Sequence, residues 1–346
     1  MGYAGPALNC QGRDGVTEPP RPDPRLRLSL LLVALTATAL TSCLREAVRS
    51  ERRELEHGGR DRVYYVHLPP QAGNGQPLPV VINFHGGGGE ALGHERYTGM
   101  DALADEEGFI AVYPAGTSRF GDRLLTWNAG GCCGYAQEKS VDDVGFVRAL
   151  IDDLSTATSI DRSRIYATGL SNGAMMAYRM AAEAGDLVAA IAPVAGAMKL
   201  DGFAPSRPIP ILHIHSVDDP RALYNGGTGP PFPLTDATVD HEPVEDVLAM
   251  WAAFDGCPSA ATAGETLSGE TGSVNAGQTA TLWIYGPCTG DVEVDLWKLT
   301  GAGHVWPGGT PNYLTAVLGP STSIIDANRE MWAFFQRFVL PEEWRP

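Results

Sequence analysis

The sequence predicts an α/β fold, a doubly wound and mostly parallel sheet flanked by helices, and three observations carry that prediction. Nearly continuous apolar runs at residues 79–84, 109–114 and 209–215 read as strands covered on both faces. Helical stretches alternate with them, among them one in which Val144, Val147, Ile151 and Leu154 recur at helical spacing, and such alternation requires parallel crossovers. The third is the stretch from Ile165 to Met176, where a β-forming run ends in Gly169-Leu170-Ser171-Asn172-Gly173 and passes at once into small, helix-favouring residues. A serine on such a strand-to-helix turn is held in a strained backbone conformation that projects its hydroxyl from the carboxyl edge of the sheet.

The chain has 346 residues, 44% hydrophobic and 19% charged, enough for a sizeable core. Its 41 acidic against 25 basic residues leave a formal charge of −16, which argues against nucleic acid or an anionic membrane surface as partner. Residues 1–43 read as an N-terminal extension followed by an export signal. Arg25 and Arg27 precede an apolar stretch, residues 28–40, that is short for a membrane span, and the stretch ends in Leu40-Thr41-Ser42-Cys43. That ending resembles the lipobox of bacterial lipoproteins, in which Cys43 would carry the lipid anchor. A plain signal peptide cut nearby is the alternative. Residues 44–60, charged and without apolar periodicity, read as a linker.

The catalytic domain is expected over residues 61–341. An edge strand at 63–68 stops at Pro69-Pro70, and the central strand at 79–84 runs directly into His85-Gly86-Gly87-Gly88-Gly89. A helix at 100–107 and a strand at 109–114 precede a long loop, 115–140, which holds Trp127-Asn128-Ala129-Gly130-Gly131-Cys132-Cys133-Gly134. Loops of that length are commonly functional. Asp142 or Asp143 caps the following helix. Beyond Ser171 come strands at 188–194 and 209–215, then a Pro/Gly-rich insertion at about 220–243 that reads as a cap or binding loop. A helix at 244–254, a low-complexity surface loop at 260–278, strands at 279–285 and 292–299 and a helix at about 326–338 complete the chain.

Three chemical features follow strands in one order: Ser171, then Asp218-Asp219, then His304 in Gly301-Ala302-Gly303-His304-Val305-Trp306-Pro307-Gly308-Gly309. Serine, acid, histidine is the chain order of α/β-hydrolases. A serine hydroxyl needs an imidazole to take its proton, and a buried carboxylate must fix that imidazole's tautomer. His304, on a Gly-rich loop, is the candidate base. His57, His67, His94 and His241 read as surface residues, and His213 and His215 as structural residues of a strand. Asp219 is favoured as the acid because Pro220 fixes an extended turn after it, with Asp218 as the substitute. Gly87 and the N–H of Asn172 are the expected oxyanion donors. A phosphate loop is the rival reading of the glycines, but no Lys-Ser/Thr pair follows them.

Trp127 and Trp306 lie in loops beside this site, where aromatic planes can hold an acyl or sugar group, or else pack in the core. Of the six cysteines, Cys257 and Cys288 sit beside turn residues flanking the low-complexity stretch, and a bridge between them would close it; adjacent Cys132 and Cys133 are left either oxidised or as buried thiols. No metal signature is present, and no metal or cofactor is expected.

The motifs Gly-Leu-Ser-Asn-Gly-Ala-Met-Met, Trp-Asn-Ala-Gly-Gly-Cys-Cys-Gly with Val141-Asp142-Asp143-Val144, and Gly-Ala-Gly-His-Val-Trp-Pro-Gly together resemble the polyhydroxybutyrate depolymerase and feruloyl esterase family, the esterase-D-like branch of α/β-hydrolases, over about residues 60–340. The resemblance implies Ser171 as nucleophile, His304 as base and Asp219 as acid, together with a Cys257–Cys288 bridge. It implies an exported serine esterase acting on feruloyl or acetyl polysaccharide esters or on hydroxyalkanoate polyester. Ser216, where the family carries glycine, and the expanded insertion depart from its pattern. A serine peptidase of the dipeptidyl-peptidase type and a non-catalytic binding protein on the same scaffold are the alternatives.

Overall fold

Burial on both faces decides where the sheet's centre falls. A computed structural model describes residues 50–232, 237–311 and 314–345. All seven residues of β3 (Leu78–Phe84) and all five of β4 (Ile110–Pro114) and β6 (Ala190–Val194) are buried. With β1 (Glu51–His57), β2 (Arg60–His67), β5 (Ile160–Leu170), β7 (Ile211–Ser216), β10 (Thr262–Ser268), β11 (Thr279–Tyr285) and β12 (Val294–Thr300) they form one ten-stranded sheet in the order β1-β2-β4-β3-β5-β6-β7-β12-β11-β10. The pairings from β4 through β12 are parallel, and those of β1, β2, β10 and β11 are antiparallel.

The helices are α1 (Ala91–Thr98), α2 (Met100–Glu107), α3 (Gly134–Glu138), α4 (Asp143–Ala157), α5 (Asn172–Glu183), α6 (Val244–Phe254), α7 (Thr315–Leu318) and α8 (Ala327–Phe335). Two apolar cores lie on opposite faces of the sheet. One takes Phe146, Leu150 and Leu154 of α4, Met176 and Met180 of α5 and Trp251 of α6. The other takes Leu103 of α2 and Met331, Phe334 and Phe335 of α8, with the Phe335 ring stacked 4.6 Å from that of Tyr166. Asp142 caps α4 through Gly145 N–H, and Asp326 caps α8 through Arg329 N–H.

Several expectations are corrected. Within the predicted 44–60 linker, residues 51–57 are strand β1, paired with β2 from Glu51↔Val66 to His57↔Arg60. The compact unit accordingly starts at Ser50, earlier than the expected boundary at 61. The cause is period two: Arg53, Leu55 and His57 turn toward the protein while the charges between them face water. Gly58 and Gly59, at φ 60° and 69°, make the two-residue hairpin turn. Residues 262–268, expected in a loop, form the edge strand β10 by pairing with β11, with Leu267 half-buried against the core and Thr266 Oγ1 3.2 Å from Thr281 Oγ1. The 220–243 insertion contains a hairpin, β8 (Asn225–Thr228) with β9 (Asp240–Pro243). The export signal and Cys43 lie outside the described residues. Among the described residues no helix is long and apolar enough to cross a membrane.

Candidate active site

The parallel strands deliver their loops to one sheet edge, as such sheets do. Ser171 stands between β5 and α5 at φ 59°, ψ −119°, a conformation that costs a non-glycine residue free energy and is held by its surroundings. Its N–H donates to Val194 O at 2.9 Å, and its carbonyl accepts from Met175 N–H at 3.0 Å. The turn tolerates no side chain beside it. A Cβ on Gly173 would lie 2.2 Å from Phe84 O, and one on Gly196 would lie 2.3 Å from Ser171 O. Gly196 had no visible role in the sequence, because its neighbour is supplied by another strand.

Beyond β7, the side chain of Asp219 is fully buried and its carboxylate fully engaged. Its Oδ1 accepts from the backbone N–H groups of Arg221 (2.7 Å) and Ala222 (2.9 Å). Its Oδ2 lies 2.7 Å from His304 Nδ1 and 3.3 Å from His215 Nε2. Asp218 points elsewhere, accepting Gly301 N–H at 2.7 Å. Burial pushes the Asp219 carboxyl up, but the charge of His304 and the hydrogen bonds from His215 and His304 outweigh it and hold the group well below the usual carboxylate range.

His304 sits on the loop after β12, pinned by its N–H to Leu318 O at 2.6 Å. Only glycine fits before it, since a Cβ on Gly303 would lie 2.0 Å from Leu318 O. Ser216, the departure from glycine, donates from Oγ to Ala302 O at 2.6 Å and so ties the end of β7 to the His304 loop.

The glycine run after β3 reaches the same place. A Cβ on Gly86 would stand 3.6 Å from Ser171 Cβ, and one on Gly87 would stand 3.4 Å from Asn172 Cβ. Among the described residues no group accepts from the backbone N–H of Gly87 or of Asn172. His85 braces this loop by bonding Gly86 O at 2.8 Å and accepting Gly116 N–H at 3.0 Å; burial lowers its imidazole to about 4, so it stays neutral.

Neither tryptophan offers its ring to a substrate, which corrects that expectation. Trp127 is wholly buried, its indole N–H donating to His85 O at 2.9 Å. The Asn172 side chain grips it at both ends, accepting Trp127 N–H at 2.8 Å and donating to Trp127 O at 3.1 Å. Trp306 is 2% exposed, donates to Asn328 Oδ1 at 3.1 Å and meets the His94 ring edge-on. In both cases a buried partner for the indole N–H makes full burial favourable.

Two further histidines differ from expectation. His94 is buried and bonds Asn83 Oδ1 at 2.7 Å, and His67 is buried with Nε2 2.7 Å from Asp105. His241, on β9, is half-buried near the site, and burial with the charges of His215 and His304 lowers it to about 4. Cys257 and Cys288 are bridged, and Cys132 pairs with Cys133 beneath Asn172.

A parallel-centred sheet of this order, with a serine on its strained strand-to-helix turn, defines an α/β-hydrolase. The chain belongs to the esterase PHB depolymerase family, whose model matches residues 62–281, and it is a carboxylic ester hydrolase. It is 31% identical over 331 residues to the proposed esterase NocK of Nocardia uniformis subsp. tsuyamanensis, covering 90% of this chain and 89% of that one. It is 28% identical over 259 residues to the bifunctional acetylxylan esterase/xylanase XynS20E of Neocallimastix patriciarum, covering 75% of this chain and a third (33%) of that longer protein. Its fold is similar to that of the acetyl xylan esterase from Aspergillus awamori, with TM-score 0.51 and 15% identity over 83% of this chain and 99% of that one.

Proposed function

We propose that this ester hydrolase works through an acyl-enzyme on Ser171. The observation that carries the reading is the buried Asp219–His304 bond of 2.7 Å at the sheet edge that also bears Ser171 and the N–H groups of Gly87 and Asn172. Ser171 Oγ attacks the ester carbonyl carbon and its proton passes to His304 Nε2. Asp219 stabilises the imidazolium so formed. The two N–H groups hold the oxyanion, and loss of one such donor typically costs ~100-fold or more in turnover. The intermediate collapses by breaking the bond to the alcohol oxygen, which leaves with the His304 proton. Water, deprotonated by His304, then attacks the acyl carbon, and the second intermediate collapses by breaking the bond to Ser171 Oγ, which takes the proton back from His304 as the acid leaves.

The substrate class is an acyl ester presented on a polymer: feruloyl or acetyl groups on a polysaccharide, or a hydroxyalkanoate polyester. Next to the oxyanion loop, exposed Phe120 and Leu124 form an open shelf with Gly88, Gly89 and Arg123, broad enough for an extended apolar acyl chain or an aromatic ring. Residues 1–43 deliver the enzyme to such substrates by export, with Cys43 as the lipid anchor. Hydrolysis of p-nitrophenyl butyrate but not of a peptide amide, lost in Ser171→Ala, tests the chemistry. Product release from feruloylated xylan, acetylated xylan and polyhydroxybutyrate films ranks the substrates. Retention in the membrane fraction, lost in Cys43→Ala, tests the anchor.

A further inference from the structure

From Asp219 runs a buried chain of polar side chains that the acyl-enzyme scheme leaves unused. His215 Nε2 lies 2.9 Å from Ala222 O and 3.3 Å from Asp219 Oδ2. His215 Nδ1 lies 3.0 Å from His213 Nε2, and His213 Nδ1 lies 2.9 Å from the hydroxyl of Tyr178 on α5. His213 and Tyr178 are entirely buried and His215 is 2% exposed, so water does not serve as an alternative partner. The two histidines alternate along β7 and therefore share one face of the strand.

The chain has a direction, and acceptors at one end fix it. Ala222 O and the Asp219 carboxylate are both acceptors, so His215 Nε2 must carry the hydrogen. With both imidazoles neutral, His215 Nδ1 is then an acceptor and His213 Nε2 must donate to it. His213 Nδ1 is left as an acceptor, and the Tyr178 O–H donates to it. Each donor is thus set by the next, from a helix on one face of the sheet through to the carboxylate. Remove the Tyr178 hydroxyl and His213 Nδ1 is left as a buried acceptor without its donor. The acceptors at the other end still hold the order, so the loss reaches Asp219 only as a weaker His213-to-His215 bond.

We propose that Tyr178, His213 and His215 are positioning residues for catalysis, a one-way hydrogen-bond relay that holds the His215 Nε2–H beside Asp219 Oδ2 and sets how strongly its carboxylate holds the His304 imidazolium. The inference rests on the acyl-enzyme reading and deepens it. The titratable groups around Asp219 are His304, His215 and, from the hairpin, His241, with Asp218 adjacent in the chain and Arg221 two residues on. A carboxylate that loses a donor carries more charge toward its remaining partner. Loss of the relay therefore raises the proton affinity of His304 and moves the acid limb of the kcat/KM profile to higher pH.

The test is the pH profile of p-nitrophenyl butyrate hydrolysis by the full enzyme and the variants His215→Phe, His215→Gln and Tyr178→Phe, each checked for folding by thermal melting. His215→Phe is expected to lower kcat about tenfold at neutral pH with KM unchanged and to move the acid limb up by about half a pH unit or more. His215→Gln, whose amide N–H reaches toward the Nε2 position, returns the limb toward wild type. Tyr178→Phe, which removes one oxygen and keeps the ring, moves the limb the same way by a smaller amount. If both Phe variants fold and lose rate with the limb where wild type has it, the relay only packs the core and the proposal is overturned. If His215→Phe does not fold, Tyr178→Phe alone decides. A Ser171→Ala variant that kept full activity would overturn the acyl-enzyme reading itself, an outcome distinct from an unmoved limb.

Discussion

The two ends of β7 and β12 bury the same chemical group with opposite results. At the carboxyl edge Asp219 accepts three hydrogen bonds and has His215 Nε2 within 3.3 Å, and its carboxyl is held well below the ordinary range. Toward the amino edge Asp295 of β12 and Asp255, which meets the chain just before β7, each keep one oxygen without a hydrogen-bond partner among the described residues. Burial raises both to about 7; Glu293 adds to the rise at Asp295, and contact with Ile209 N–H and the charge of Arg207 only partly offset it at Asp255. Burial alone penalises an ionised carboxylate, and what reverses the sign is the supply of N–H groups. One edge is built to keep a charge and the other tolerates a proton.

That contrast predicts that substitutions at the carboxyl edge act on turnover and those elsewhere on stability. Asp219→Asn should cost about 10⁴-fold in kcat, the size expected when the imidazole loses its carboxylate partner. Its effect on stability has a defined sign. The depressed Asp219 carboxyl stabilises the fold above the unfolded pKa near 4, and that contribution disappears as the pH falls, so melts at pH 8 and pH 3 should show the variant's deficit shrinking in acid.

Removing the Cys257–Cys288 bridge, which spans a sequence separation of 31, should cost about 3 to 4 kcal/mol in urea unfolding with kcat within about twofold. Asn172→Ala leaves the backbone N–H in place but frees both polar ends of Trp127. A loss of about 1 to 3 kcal/mol in stability, with about a tenfold fall in kcat, is expected in paired melts and assays. The smallest effect is a gain. A raised carboxyl costs nothing while neutral, below pH about 4, and penalises folding progressively as the pH rises to about 7. Asp295→Asn should therefore leave Tm unchanged at pH 4 and raise it by a few degrees at pH 8, on the order of 1 to 2 kcal/mol, with kcat unaltered.

The carboxyl edge was largely legible in the sequence because its chemistry is local. Gly169 and Gly173 frame Ser171 within one turn, Pro220 fixes the chain after Asp219, and Gly303 makes room for His304. What escaped sequence reasoning depends on partners far along the chain. The inward face of Arg53, Leu55 and His57 has meaning only once β2 lies beside it, although Gly58-Gly59 was a readable hairpin signal. For both tryptophans the loop position leaves substrate contact and core packing both open, and the structure shows burial. Their burial follows from His85 O and Asn328, acceptors that no local pattern brings to them. His213 and His215 advertise a shared face through their spacing, yet the tautomer order they adopt is imposed from Ala222 and Asp219.

The central claim is that the hydroxyl of Ser171 is the nucleophile and that His304 activates it. Treating the enzyme with a sulfonyl fluoride or an alkyl phosphonofluoridate and mapping the adduct by peptide mass spectrometry tests this directly. One adduct on Ser171, formed in step with loss of esterase activity and absent from His304→Ala, is the predicted result. Inactivation with the adduct on another residue, or full activity with Ser171 modified, would contradict it.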